Sequence, residues 1–205
     1  MLKKILSAFC MAILLFFVAS NHVFAAKNIA VILDVPTGMF SEPEKTHATL
    51  MTSLNKILGD DEDYNILPIE EVSSYVQIYR EENNLIKTVT TEGVAVESFL
   101  KKKDIDEICK HFGSDYVIYT RISTTKPKVV EGIFSVSRKV NVILDFRVWS
   151  DSKKDFSYIK RTTTTGSSTA IYAGVGSSSR ALEKGLKKGL QEIEKDSSKV
   201  RAAMD

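Results

Sequence analysis

Val136-Ser-Arg-Lys-Val-Asn-Val-Ile-Leu-Asp-Phe-Arg-Val-Trp149 decides the fold. Val136, Val140, Val142, Leu144, Phe146 and Val148 share one parity, while Ser137, Lys139, Asn141, Asp145 and Arg147 share the other. Side chains alternate between the two sides of a strand, so this run predicts one buried face and one wet face. That alternation belongs to an antiparallel strand with helices on a single side; a central strand of a doubly wound sheet is apolar throughout. The turn Ser150 to Asp155 returns the chain into Phe156 to Thr164, which predicts a hairpin. Ile143 and Trp149 interrupt the wet parity beside Asp145 and Arg147. Tryptophan and arginine are enriched at interface hot spots, which makes Asp145, Arg147 and Trp149 the candidate protein interface. The alternative is a Trp149 that packs under a loop.

Upstream, Lys27 to Val35 reads as a short strand closed by Pro36-Thr-Gly38. Ser41-Glu-Pro-Glu44 is a capping box, and Ala48, Met51, Leu54, Ile57 and Leu58 recur at helical spacing, so a helix is expected over Glu42 to Leu58, stopped by Gly59. Tyr64 to Leu67 forms a short strand ended by Pro68, ahead of a helix carrying Val72, Tyr75, Val76 and Tyr79. A short helix is expected near Val94 to Leu100. Asp104 is placed to cap Ile105 to Phe112, with Glu107 at the capping-box position and Gly113 closing the helix. Asp115 to Ser123 is the third strand, and Val129 and Val130 suggest a small one after it.

The hydroxyl-rich segment Thr165 to Ser179 reads as a linker to a last helix striped with Ala181, Leu182, Gly185, Leu186, Gly189, Leu190 and Ile193. Two glycines cost this helix propensity, which makes sense where the backbone approaches the sheet closely. Gly174-Val-Gly176-Ser-Ser-Ser179 lacks the lysine of a phosphate loop and the third glycine of a dinucleotide fingerprint, so a serine-capped linker is the better account. The expected fold class is α/β (α+β): one domain over 26–200, a mixed sheet of about five strands with a C-terminal antiparallel meander, helices mainly on one face, and a frayed tail over 201–205.

The first 25 residues predict a compartment. Lys3 and Lys4 precede an apolar run from Ile5 to Val18, and Val23-Phe-Ala25 suits signal peptidase, so cleavage is expected after Ala25. Of 205 residues this leaves 180, one domain's worth, with 26 basic and 26 acidic side chains because Lys3 and Lys4 leave with the leader. A balanced charge argues against nucleic acid or an anionic membrane as the main partner. No second apolar run of membrane length follows, so no membrane anchor is expected after cleavage. Cys10 leaves with the leader, and Cys109 then has no internal partner; it reads as a buried core thiol, with a reactive or intermolecular thiol as the alternative.

Catalytic and metal signatures are weak. Glu44 and His47 lie three apart on one helix with Asp34 at a strand end, a set that would serve a small secreted hydrolase or metal-dependent enzyme, but nothing else is spaced to complete a zinc shell. Cys109 and His111 stand two apart on a helix, poor geometry for a nucleophile and its base. No catalytic residue, metal ligand or cofactor is therefore assigned.

Lys27-Asn-Ile-Ala-Val-Ile-Leu33, Ile66-Leu-Pro-Ile-Glu-Glu-Val72 and Phe112-Gly-Ser-Asp-Tyr-Val-Ile118, in the order β-α-β-α-(α)-β-β-β-α, resemble the envelope α/β domain shared by CsgG, LpoB and the N-terminal domain of TolB. The resemblance covers most of the mature chain and implies an exported, non-catalytic protein that works by binding another envelope protein or by assembling. It carries no site residues, since the matched positions are framework. This chain lacks a usable lipobox cysteine and any long amphipathic insertion for a pore. A periplasmic or secreted binding module is the expected function, its oligomeric state open. Self-assembly through the edge strand Phe156 to Thr164 is opposed by Lys160 and Arg161, which protect such an edge.

Overall fold

The computed structural model describes residues 26–35, 43–59, 63–89, 94–132, 135–171 and 177–205. The expected leader, the start of the capping box at Ser41 and Glu42, the Pro36-Thr-Gly38 loop and Gly174 to Gly176 lie outside the described residues. The chain runs β1 (Lys27–Asp34), α1 (Pro43–Leu58), β2 (Tyr64–Ile66), α2 (Ile69–Glu82), β3 (Ile86–Val89), β4 (Val94–Glu97), α3 (Lys102–Phe112), β5 (Tyr116–Thr124), β6 (Lys128–Glu131), β7 (Ser135–Ser150), β8 (Asp155–Ile171), α4 (Ser178–Glu194) and α5 (Ser197–Ala202).

One open, mixed, six-stranded sheet organises this single α+β domain. β1 pairs in parallel with β2 and β5, and β7 pairs antiparallel with β5, β6 and β8. β7 is long enough to take β5 along its second half and β6 along its first, while β8 runs beside its other edge throughout.

The alternation read from β7 is realised. Val140, Val142, Leu144, Phe146 and Val148 are buried against α1 and α4, together with Leu54, Ile57, Leu186 and Leu190. β1 differs, because its run is apolar at both parities. Ile29 and Val31 join that first core, whereas Ala30 and Ile32 pack on the opposite face with Val72 and Val76 of α2 and Ile105 and Ile108 of α3. α1, α4 and α5 thus share one face, and α2 and α3 cover the other at its β1 end.

Gly185 lets α4 settle on the hairpin: a Cβ there would stand 2.5 Å from Val142 Cγ2. Across from it, a Cβ at Gly166 would lie 1.7 Å from the Ala181 carbonyl oxygen. Gly189, expected to act like Gly185, would make only ordinary contact, at 3.4 Å. Gly166→Ala must therefore push helix from sheet, and a loss of about 2–3 kcal/mol is expected by urea denaturation, against near-neutrality for Gly189→Ala.

Three expectations are corrected. Val94 to Leu100 is not a helix: β-branched Val94 and Val96 favour extended backbone, and β4 pairs with β3 as a separate two-stranded ribbon. Thr165 to Ile171 is not linker but the second half of β8, since threonine is as much a strand residue as a loop residue and β7 is long enough to pair with all of it. The C-terminus does not fray. α5 buries Val200, Met204 is fully buried, and Lys27 Nζ donates to the Met204 carbonyl at 2.6 Å. The capping of α3 also shifts by a turn: Lys101 is the N-cap and Asp104, at N3, accepts the Lys101 backbone N–H at 2.6 Å, while Gly113 closes the helix at φ 55° as expected.

The junction of α4 and α5 is held by charge. Asp196 Oδ2 accepts from Lys160 Nζ at 2.7 Å and from Tyr158 Oη at 3.2 Å, and the lysine above all holds the Asp196 carboxyl down at about 2. A depressed carboxylate stabilises the fold above its unfolded value of 3.8 and loses that contribution as pH falls toward 2. Asp196→Asn should accordingly flatten the fall of Tm between about pH 4 and pH 2 while leaving the slope at neutral pH unchanged.

Candidate functional site

The face opposite α1 and α4 is uncovered along β7 and β8 by any described helix, and a row of alternating charge runs onto it from beneath α2. The strand registers place Asp34 of β1 beside Arg121 of β5, Arg121 beside Asp145 of β7, and Asp145 beside Arg161 of β8. Opposite charges directly across strands attract, by about 0.2–1 kcal/mol per pair. Next to this row run Ile32, Tyr119, Arg147 and Ile159, and on its other side Ser123, Ile143 and Thr163.

Each member has a distinct setting. Asp34 is buried under α2: Arg80 Nη2 donates to its Oδ1 at 2.7 Å, and the Tyr119 hydroxyl donates to Oδ2. Burial, and the Asp34 charge after it, push the Tyr119 phenol well above its ordinary range. Arg121 is half-buried with its guanidinium over the ring of Phe99, itself half exposed. Asp145 receives Arg147 in a bidentate pair at 2.9 and 2.7 Å, which raises the arginine further. Arg161 ends the row at the sheet edge, exposed, with no hydrogen-bond or ion-pair partner among the described residues. Ile159 is 59 % exposed, and Val129 and Val130 of β6 are exposed as well.

The interface triad divides here. Asp145 and Arg147 lie on the uncovered face, but Trp149 is 2 % exposed, its ring packed edge-on against Phe156 at 5.4 Å within the core beneath α3. α3 caps this end of the face, and a register shift after Val148 brings Phe156 opposite Trp149. The set Asp34, Glu44 and His47 is not assembled: both Asp34 oxygens are engaged, and no cluster of three metal-ligating side chains occurs among the described residues.

Cys109 is a buried thiol that donates to the Ser114 carbonyl at 3.0 Å, and burial pushes it up to about 11. His111, exposed on the other side of α3, stacks on Tyr75 at 3.6 Å between ring centres. A raised, buried thiol is a poor nucleophile. Cys109 should resist a thiol reagent in the native protein at neutral pH and react fully in 6 M urea; fast native modification would contradict its burial.

Sequence reasoning missed Arg80, Tyr119, Arg121 and Ile159, and read Arg161 only as a guard of the edge strand. The wet parity that flagged Asp145 and Arg147 extends to Arg121 and Arg161 once the registers are known, but Arg80 reaches Asp34 from a helix 46 residues away.

No protein-family model and no curated protein sequence matches the chain. Among solved structures it is similar to the LpoB C-terminal domain from Salmonella enterica (11 % identity, 72 % of this chain and 88 % of that one, TM-score 0.35). It is also similar to lipoprotein GNA1162 from Neisseria meningitidis (13 %, 82 % and 99 %, TM-score 0.37) and to a minor lipoprotein from Acinetobacter baumannii (10 %, 85 % and 92 %, TM-score 0.39). LpoB is one of the proteins that the sequence pattern resembles. The likeness is weak, and no residue role is carried across from these chains. Among the described residues no helix is long and apolar enough to cross a membrane.

Proposed function

We propose that this chain is an exported protein of the bacterial cell envelope that works by binding another protein through the uncovered face of β5, β7 and β8. The observation that carries the reading is the pattern on that face: Ile159, Ile143, Thr163 and the Asp145–Arg147 pair lie side by side without a covering helix among the described residues, whereas α1 and α4 seal the other side of the same strands. Apolar side chains among fixed charges are what a protein partner reads, the apolar atoms supplying affinity and the charges orientation. Asp145 and Arg147 keep their place in this interface, and Trp149 supports it from the core side.

Export rests on the leader pattern. Cleavage after Ala25 leaves Ala26 ahead of Lys27, the first residue of β1, whose backbone N–H bonds the Asp63 carbonyl at 2.7 Å, so the expected cut would leave β1 whole. The metal-dependent alternative loses Asp34, both of whose oxygens are committed to Arg80 and Tyr119.

The test uses immobilised mature chain and solubilised envelope proteins. A partner captured by wild type should be lost with Ile159→Asp and Arg147→Glu and kept with Lys187→Glu, a change on the exposed side of α4. Equal capture by all variants would remove this face as the interface.

A further inference from the structure

We infer that the outer edge of β8 is a docking edge for an extended acidic segment of the partner protein, which adds to the sheet as a further antiparallel strand with a carboxylate opposite Arg161. This deepens the proposed function and rests on it.

The backbone argument begins on β7. The Thr125 N–H donates to the Asn141 carbonyl at 3.1 Å, and the Gly132 N–H to the Ser135 carbonyl at 2.7 Å. Odd-numbered residues of β7 therefore turn their hydrogen-bonding groups toward β5 and β6. In an antiparallel ladder their opposite numbers on β8 must turn theirs the other way. Arg161, Thr163, Thr165, Ser167 and Thr169 thus present N–H and C=O groups at an edge with which no described strand pairs. Lys188 Nζ, reaching over from α4, donates to the Thr165 carbonyl at 3.1 Å, as an outward carbonyl permits.

Natural edge strands are blunted by proline, bulges or charge. The bulge of β8 lies at its other end, near Phe156, and from Thr162 to Thr169 the strand carries no charge and no proline. Such an edge accepts an added strand.

The side chains specify the occupant. Along this side of the sheet the charge alternates Asp34, Arg121, Asp145, Arg161, and the row stops on a cation with no hydrogen-bond or ion-pair partner among the described residues. An added strand sets one residue opposite Arg161, and a carboxylate there continues the alternation. Lys188 of α4 reaches the same rim. A partner amide that takes the Thr165 carbonyl releases the Lys188 ammonium for a second carboxylate. A second copy of this chain fits less well, because it would bring its own Arg161 and Lys188 against these.

The probe is a nine-residue peptide of alternating threonine and glutamate, with a threonine–lysine peptide as its counterpart. Amide hydrogen exchange of the full mature chain is followed by NMR. With the acidic peptide, exchange at Thr163, Thr165, Ser167 and Thr169 should slow at least tenfold, while Thr162 and Thr164, already bonded to β7, stay slow throughout. Arg161→Glu should turn the preference toward the lysine peptide. Ser167→Pro should abolish protection without unfolding the domain, since the N–H it removes lies outside the β7 ladder.

Unchanged exchange at the four outward amides overturns the docking edge, and equal protection by both peptides overturns its acidic specificity. Protection in the free chain that disappears on dilution overturns the acidic occupant in favour of a second copy. If partner capture through Ile159 persists while the edge amides ignore the peptide, the edge alone is wrong; if capture fails too, the proposed function falls with it.

Discussion

Replacing Arg80 by methionine should destabilise the domain by about 3–5 kcal/mol, because it strands a carboxylate inside the protein. Arg80 and Asp34 are each about 95 % buried, in the last turn of α2 and at the last residue of β1, and their charges meet at 2.7 Å. Methionine matches the arginine stem in length and leaves Asp34 with the Tyr119 hydroxyl as its neighbour. One hydroxyl does not replace the solvation of a buried charge. Asp34→Leu should also destabilise the domain, by removing the carboxylate that meets the buried guanidinium at 2.7 Å. The double variant Asp34→Leu/Arg80→Met should recover most of the loss, since an apolar pair of matched volume often equals a buried ion pair. Urea midpoints measure all three; losses that simply add would mean that the two side chains do not depend on each other.

Trp149→Ala is the second large effect, about 3–5 kcal/mol, for a different reason. The indole is among the largest fully enclosed side chains and packs edge-on against Phe156. Truncation leaves a cavity that β7, hydrogen-bonded to β5 on one side and β8 on the other, cannot close. Its Nε1 has no hydrogen-bond partner among the described residues, so part of the gain from burial is already offset. Trp149→Phe, which keeps ring packing and removes that N–H, should therefore cost well under half as much. Arg147→Ala should cost less than about 1 kcal/mol, since the Asp145–Arg147 pair lies at a partly solvated surface. Trp149 acts on stability and Arg147 on binding, which thermal melts and capture assays separate cleanly.

That division shows where the sequence is legible. β7 could be read because its alternation records one sealed and one open face, and β1 because its unbroken apolar run records burial on both. Trp149 misled because parity places it with Asp145 and Arg147, while its cover comes from α3, an element 40 residues earlier. The second half of β8 hid behind its composition: Thr165, Ser167, Ser168 and Thr169 suit a linker and an edge strand equally, and only a partner strand of matching length decides. Gly185 was legible as a point of close approach, but the tightest contact, at Gly166, lay within the segment read as linker. The charge row was beyond reach for a related reason. Asp34, Arg121, Asp145 and Arg161 come from four strands, and their neighbourhood is a property of register that no local pattern encodes.

The binding reading is tested most directly by photo-crosslinking in intact cells, with a photoreactive residue placed in turn at Ile159, at Glu71 on α2 and at Lys187 on α4. All three positions are exposed, and only Ile159 lies on the uncovered face. A discrete adduct with one envelope protein from position 159, weakened by Arg147→Glu and missing from 71 and 187, is the predicted result. Adducts of the same size from all three positions, or none from 159 while 71 or 187 reacts, would contradict the account.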